Sequence, residues 1–567
     1  EGNLYFDGSV GWDQAVSTIE VSSGKWYCEL INTDGLDSHC GIYGTNSSYV
    51  FSGGGSQGFH GDVGILFDFG GGATGTGQYR IDGGSPVSYG TYPVQDDIIG
   101  IALNLDDSEI TFYINNSSQG TISFSGGVTT APAIVFGFTS YNNLLAVNFG
   151  QDSSFAGEET AQGNQDDNNK GDFYYAPPSG YLALCTDNLA EPAISAVQAP
   201  DHFNTVLYTG DGANDHNITV GFQPDFVWIK ERENTASHYL VDSVRGLGTG
   251  DSMRVLISNN SDAEYSAEND QLISFDTDGF TLDDNTDTDF YVNRNTETYV
   301  AWNWKAGGAP TADNSAGAGA TPTAGSVKID GSNLGSALAG TTAATRISAN
   351  TTAGFSIVGY TGTGSTATVG HGLGSAPELV IVKNRTTAPT AWQVGSDTLT
   401  SWLYYITFNT TAIENTNNQM WDSTPPSASV FTVEDAGDVN TNTDNYIAYC
   451  FHSVEGYSKV GSFVGNYNVD GAFIYLGFKP AFFMWKRAIG SGGDDGGWAM
   501  MDNKRNTYNV TDNNLYANSS ADEDDSKNAI DFVSNGVKMR NTEMQGTSTT
   551  YLYLAFAESP FKTSNAR

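Results

Sequence analysis

The chain has 567 residues, 65 of them acidic against 24 basic, for a formal net charge of −41, and 12% of it is aromatic. That balance argues against nucleic acid, whose phosphates need Lys and Arg, and against electrostatic docking on anionic membranes. No apolar run approaches the ~20 residues of a membrane span, and four cysteines do not make a disulfide framework.

The first 155 residues read as strands with period-two alternation and tight polar turns. Among them are "SSGKWYCELI" (22–31), "DDIIGIALNLDDSEITFYINN" (96–116) and "IVFGFTSYNNLLAVNFGQDSSF" (134–155). In the second, Asp106-Asp107-Ser108 turns one strand back on the next, and Ile110, Phe112 and Ile114 share a face. Cys28 and Cys40 flank the turn "NTDGLDS" (32–38), facing each other across a hairpin or lying buried as free thiols, of which the second is preferred; Cys185 and Cys450 read as core residues. Gly24-Lys25-Trp26-Tyr27, Gly100, Leu103, the run Ile110 to Asn115, and Val147-Asn148-Phe149-Gly150 give residues 1–155 a resemblance to the SPRY (B30.2-like) family. The resemblance implies a lectin-like β-sandwich that binds through loops at one end, with no particular ligand attached.

Residues 156–204 begin as an acidic linker and continue into "FYYAPPSGYLAL" (173–184), a Pro-rich docked strand or turn.

Beyond them the chain repeats itself. "GFQPDFVWIKER" (221–232), "GSAPELVIVKNR" (374–385) and "GFKPAFFMWKRA" (477–488) each place Gly three residues before Pro and Lys six after it. Tyr208, Tyr360 and Phe463 precede the prolines by 16, 17 and 17 residues, and Tyr299, Tyr446 and Tyr551 follow them by 75, 69 and 71. Between lie "NNSDAE" (259–264), "NTTAIE" (409–414) and "NSSADE" (518–523), expected to be a structural turn rather than three ligand sites. Residues 205–308, 355–456 and 459–563 are therefore three copies of one domain. Short runs of β-branched and aromatic residues bounded by Gly, Asn, Asp and Ser make each copy a sandwich. "ISFDTDGFTL" (273–282) and "IDFVSNGVKM" (530–539) are its hairpins. The predicted class is all-β: tandem β-sandwiches, each with its own core, strung behind the N-terminal one. Trp228, Trp302, Trp304 and Trp485 fall on core positions.

Residues 309–354 are dominated by Ala, Gly, Thr and Ser and cannot bury a core. They are expected to be an extended arm ordered against another subunit or domain, with "GSVKIDGS" (325–332) as the one hairpin strand.

The three copies and the ending "AFAESPFKTSNAR" (555–567) resemble structural proteins of marine tailed phages. That resemblance covers most of 160–567 and implies a virion appendage such as a tail fibre, receptor-binding protein or head decoration. It carries no functional residues over.

Signs of catalysis are few. The seven histidines show no metal-ligand spacing. "GTGSTATVGHG" (362–372) lacks a nucleophile elbow, and the pair Asp283-Asp284 invokes a glycosidase only if its carboxylates stand ~5–9 Å apart. "DTDGFTLDDNTDTD" (276–289) alternates oxygen ligands without the terminal Glu of an EF-hand, leaving Asp276, Asp278 and Asp283 as weak calcium candidates. No cofactor is expected beyond structural Ca²⁺. Binding residues are sought on loops: Tyr49, Phe51, Phe59 and His60 amid Gly and Ser, and Met420 and Trp421 exposed in "NTNNQMWDSTPP" (415–426).

The expectation is a non-enzymatic, extracellular protein of the virion surface. It is taken as an adhesin whose loops meet a host-surface glycan or protein, partnered by other virion proteins and by itself as a homo-oligomer, three-fold for preference. The alternatives are a purely structural decoration protein and a secreted glycan-processing enzyme.

Overall fold

The computed structural model describes all residues except 1–3, 8–11, 34–37, 45–63, 70–75, 126–127, 129–130, 132, 142–143, 193, 196–197, 247–253, 267–271, 285–290, 491–495, 528 and 564–567. The chain divides into two compact units, Glu1–Glu191 and Pro192–Arg567. The fold is all-β: a two-sheet sandwich followed by three repeated sandwiches. The α-helices among the described residues are single turns such as Asn418–Trp421 and Gly437–Asn440.

In the first unit one sheet runs Leu4–Asp7, Leu144–Asn148, Lys25–Asn32, Ile98–Asn104, Glu109–Ile114, Ser117–Ser123. The other runs Trp12–Val16, Ile134–Tyr141, Ser38–Gly44, Gly64–Phe69, Thr76–Ile81, Val87–Thr91. Cys28, Ile101 and Phe112 from the first sheet meet Cys40, Phe67 and Phe136 from the second in one core. Ile98–Asn104 and Glu109–Ile114 form the expected hairpin, with Ile110, Phe112 and Ile114 all buried. Cys28 and Cys40 do not face each other across a hairpin. Their strands belong to opposite sheets, and both are free, buried thiols. Residues 156–185 fold back over the first sheet, where Leu182–Ala183 pairs in parallel with Trp26–Tyr27.

In the second unit each copy has a large and a small sheet. The large sheet places the strand after the proline beside the closing aromatic strand: Phe226–Glu231 with Thr298–Trp304, Leu379–Asn384 with Asn445–Phe451, Phe478–Ile489 with Thr550–Pro560. The sequence markers pair directly. Tyr208 stacks on Tyr299 at 5.0 Å, Tyr360 on Tyr446 at 5.1 Å and Phe463 on Tyr551 at 5.0 Å. Each closing tyrosine also accepts a backbone N–H five residues upstream, from Arg294, Thr441 and Gly546. A phenol pinned this way fixes the corner where the chain enters the sheet. That is why the position is always Tyr while its stacking partner is Tyr or Phe. Both predicted hairpins are present, Leu272–Asp276 with Gly279–Leu282 and Ile530–Val533 with Gly536–Met539.

The copies are not beads on a string. Val227, Ile229, Tyr299 and Ala301 point into the first sandwich, whereas Phe226, Trp228, Trp302 and Trp304 point the other way. There they join Phe355, Tyr449 and Phe451 of the second copy and Phe482, Met484 and Phe556 of the third in a single aromatic core. Strands buried on both faces need continuous apolar runs rather than alternation, and "FVWI" and "AFFMW" are such runs. The arm orders within its own chain: Ser332–Asn333, Val327–Ile329 and Ala344–Asn350 extend the second copy's large sheet beside Phe355–Thr361.

Candidate functional site

The Asn-to-Glu elements are the joints between copies. Glu264 N–H donates to the Arg385 carbonyl (3.0 Å), Glu414 N–H to the Ala488 carbonyl (2.9 Å) and Glu523 N–H to the Arg232 carbonyl (2.8 Å). The three acceptors occupy one position of the repeat, so the bonds run from copy one to two, two to three and three to one. A head-to-tail interface that closes after three steps is a ring, here within one chain. Indole N–H groups follow the same circuit: Trp392 Nε1 donates to the Ile257 carbonyl at 3.0 Å and Trp498 Nε1 to the Thr407 carbonyl at 3.4 Å.

Two of the three repeated lysines reach across the joints. Lys383 Nζ reaches the Thr390 carbonyl at 2.6 Å and, in the preceding copy, the Ser261 carbonyl at 3.2 Å. Lys486 Nζ bonds to the carbonyls of Gly496 and of Thr411 in the preceding copy. Lys230 holds the carbonyls of Glu231 and Asn234. All three lysines are 0% exposed. Burial pushes Lys230 and Lys383 down to about 8, since taking an ammonium out of water favours its neutral form.

Two of the three joints carry a buried charge network. Arg385 grips Glu264 through Nε–Oε2 and Nη2–Oε1, each 2.8 Å. Arg245 bridges Glu264 (3.3 Å) and Asp242 (2.5 Å), and Tyr449 Oη donates to Asp242 at 2.8 Å. Where copy three meets copy one, Arg232, Glu523, Arg505, Asp502 and Trp302 repeat the arrangement. At the joint of copies two and three the corresponding residues are Ala488, Glu414, Leu399, Ser396 and Leu554. Glu414 there accepts from Thr400 instead. At the centre of the ring lies a small apolar void of about 20 Å³ between Phe226, Trp304, Trp392, Tyr449, Phe482 and Leu554, with no polar lining to hold a water.

The sites picked from sequence fare differently. Tyr49, Phe51, Phe59 and His60 lie outside the described residues. Trp421 is not an exposed aromatic: it is 0% exposed, edge-to-face on Trp402 at 5.9 Å, and Met420 is buried beside it. The turn Asn418–Trp421, capped by Asn417, rolls both inward. Asp276 accepts from Ser274 and Thr281, while Asp278 and Asp283 contribute backbone carbonyls to Val220 and Asn293. No group of three or more His, Cys, Asp or Glu among the described residues is arranged to hold a metal ion. His371 of the "GHG" turn is buried, bridging the Ser427 carbonyl and Leu373 N–H, and burial pushes it down to about 4, so it is neutral.

Sequence reasoning missed Glu29. It sits mid-strand in the first unit, 0% exposed. Its carboxylate accepts from Tyr174 and Tyr175 N–H at 2.8 Å each, from Tyr27 Oη at 3.1 Å and from Asn148 Nδ2 at 3.4 Å. A Glu inside "KWYCELIN" was the available signal, since a charge in an otherwise buried strand needs a partner.

Comparison with known proteins gives a family and a set of folds. A family model described as a domain of unknown function, DUF7483, matches residues 198–332 and 328–560. No curated protein matches. Similar solved structures include a human SPRY domain, 14% identical over 26% of this chain and 91% of that one, TM-score 0.21. The Emp46p carbohydrate recognition domain in its potassium-bound form is 11% identical over 26% and 80%, TM-score 0.21. The SPRY domain of human HERC1 is 13% identical over 25% and 84%, TM-score 0.19.

Proposed function

We propose that this chain, which belongs to the DUF7483 family, is a protein of the exterior of a tailed-phage virion, and that it acts there as an adhesin. The observation that supports this most is the closed ring of three sandwiches. It fastens 376 residues (192 to 567) into one body through buried joints, as suits a scaffold that displays loops rather than one that opens and closes around a substrate. The N-terminal sandwich supplies the recognition loops, for a host-surface glycan or protein. The ending "AFAESPFKTSNAR" and the −41 charge agree with a place outside the cell.

The test has two arms. Antibody against residues 1–155 is imaged on intact particles, and purified chain competes with those particles for adsorption to host cells. Labelled particles together with blocked adsorption support the adhesin. Labelled particles with undiminished adsorption leave a decoration protein, and unlabelled particles overturn the virion assignment.

A further inference from the structure

Residues 1–191 hold 23 acidic residues against three basic ones, a net charge of 3 − 23 = −20. All three basic side chains are engaged away from Glu29: Lys25 with Asp107 (3.5 Å), Arg80 with Asp68 (3.6 Å) and Lys170 with Asp187 (2.5 Å). His39 lies against Thr139 and Asp68. The ionisable groups that do surround Glu29 are neutral or acidic. Tyr27 and Cys28 flank it on its own strand, with Tyr113 on the next strand but one near Tyr27. Tyr175 faces it from the covering segment, near Tyr174, Glu159 and Asp97. Asp172 of that segment has a buried carboxylate oxygen without a hydrogen bond.

That segment is a strap. Asn164 and Phe173 pair as an antiparallel bridge. Phe173, 0% exposed, sits edge-to-face on Tyr27 at 5.3 Å and packs with Ala102 and Ala183. Asn148 ties the Asp172 carbonyl at 2.9 Å. Beneath the strap lie apolar side chains of the sheet's outer face, and Glu29 is the acid sealed among them. Four donors point at its carboxylate, and among the described residues no cation balances it.

We propose that Glu29 is a proton-operated latch: while neutral it keeps residues 164–183 shut over the outer face of the first sheet, and its ionisation loosens them. Burial pushes the carboxyl up to about 7, and the bonds from Tyr175, Tyr174, Tyr27 and Asn148 only partly oppose this. With the strap released, the carboxyl returns to water and to the ordinary range near 4.5. The docked form therefore binds the proton more tightly. Closure is firmest below the released value, weakens as pH rises from about 4.5 to about 7, and is level above that.

Hydrogen exchange of the full chain between pH 4 and 8, corrected for the intrinsic rate of each amide, tests this on the peptide carrying Tyr174 and Tyr175. The strand Ile98–Asn104 serves as control. Opening is expected to rise roughly three- to tenfold per pH unit between about 4.5 and 7, the limit for one proton, and to level off above about 7, with the control flat. In Glu29→Gln, an isostere that cannot ionise, the pH dependence should vanish. Should that variant fail to fold, Tyr27→Phe removes one donor to the carboxylate, and the pH at which opening levels off should move up. A wild-type strap whose opening does not change from pH 4.5 to 7 overturns the latch. So does a rise that persists in Glu29→Gln, or an unmoved levelling-off in Tyr27→Phe.

Discussion

Glu264 of the first copy and Arg385 of the second are joined by two parallel 2.8 Å bonds, and Glu523 repeats the grip on Arg232 where the third copy meets the first. The joint between copies two and three keeps the Glu, Glu414, and has exchanged its four partners at once. Ser396 stands for Asp, Leu399 for Arg, Ala488 for the gripping Arg, and Leu554 for the Trp or Tyr that hydrogen-bonds the Asp. A buried ionic network and its apolar replacement are close in net stability, whereas half of either is costly. The four partners of the Glu at each joint are thus interdependent and change together.

This makes a specific expectation for Glu264→Ala. Arg245, 0% exposed, would keep Asp242 alone, and Arg385 would lose its carboxylate. The cost should be about 3–5 kcal/mol, as for a broken buried pair. Asp242→Ser, Arg245→Leu, Arg385→Ala and Tyr449→Leu together copy the third joint, and should fall within roughly 2 kcal/mol of wild type. Urea denaturation of both proteins decides it: a quadruple variant as weak as the single one would show that the sets are not interchangeable.

Trp228 lies where copies share their core. Its ring is 5.9 Å from Trp302 in its own copy and 5.9 Å from Phe408 in the next, and its Nε1 donates to His238 Nδ1 at 3.0 Å. Trp228→Ala should cost roughly 3–5 kcal/mol. Because the cavity opens onto the common core, the thermal transition of all of residues 192–567 should move together. Scanning calorimetry that shows one copy melting early while the others keep the wild-type transition would mean that the copies fold independently.

What could be read beforehand was local. Asp278-Gly279 and Asn535-Gly536 announced their hairpins, and the Tyr208 and Tyr299 markers turned out to be stacked partners in adjacent strands. Long apolar runs showed burial but not that both faces were buried, so Trp228 was rightly placed in a core and the sharing of that core was not foreseen. Partner identities were out of reach: Glu264 and Arg385 are 121 residues apart, Arg232 and Glu523 are 291 apart, and Glu29 meets Tyr174 across 145. Trp421 was misplaced because a polar neighbourhood suggested a loop, where Asn417 in fact caps a turn that buries it.

Removal of residues 310–345 tests the arm. The deletion takes away Val327–Ile329 and Ser332–Asn333 and cuts into Ala344–Asn350, whose Ile347 is 0% exposed. It bares the edge of residues 346–350 on which Val327–Ile329 paired, while those residues keep their pairing with Phe355–Thr361. Since the arm is satisfied by its own chain, sedimentation should give an unchanged oligomeric mass while the melting temperature of residues 192–567 falls by several degrees. A drop in mass would mean that the arm also bridges chains.

The buried lysines set an alkaline response. In the fold Lys230 and Lys383 lose their protons near 8 because burial disfavours the ammonium, whereas in the unfolded chain they hold them to about 10.4. Between those values the unfolded state binds more protons, so stability rises with pH there, and it falls back as pH drops through about 8. Denaturation midpoints of residues 192–567 measured from pH 7 to 9.5, below the range where buried tyrosines intervene, should therefore climb. Lys383→Met should remove part of that climb while lowering stability at every pH, because the carbonyls of Ser261 and Thr390 lose their donor. A midpoint that stays level or declines across this range would show that the ammonium groups remain charged where they lie.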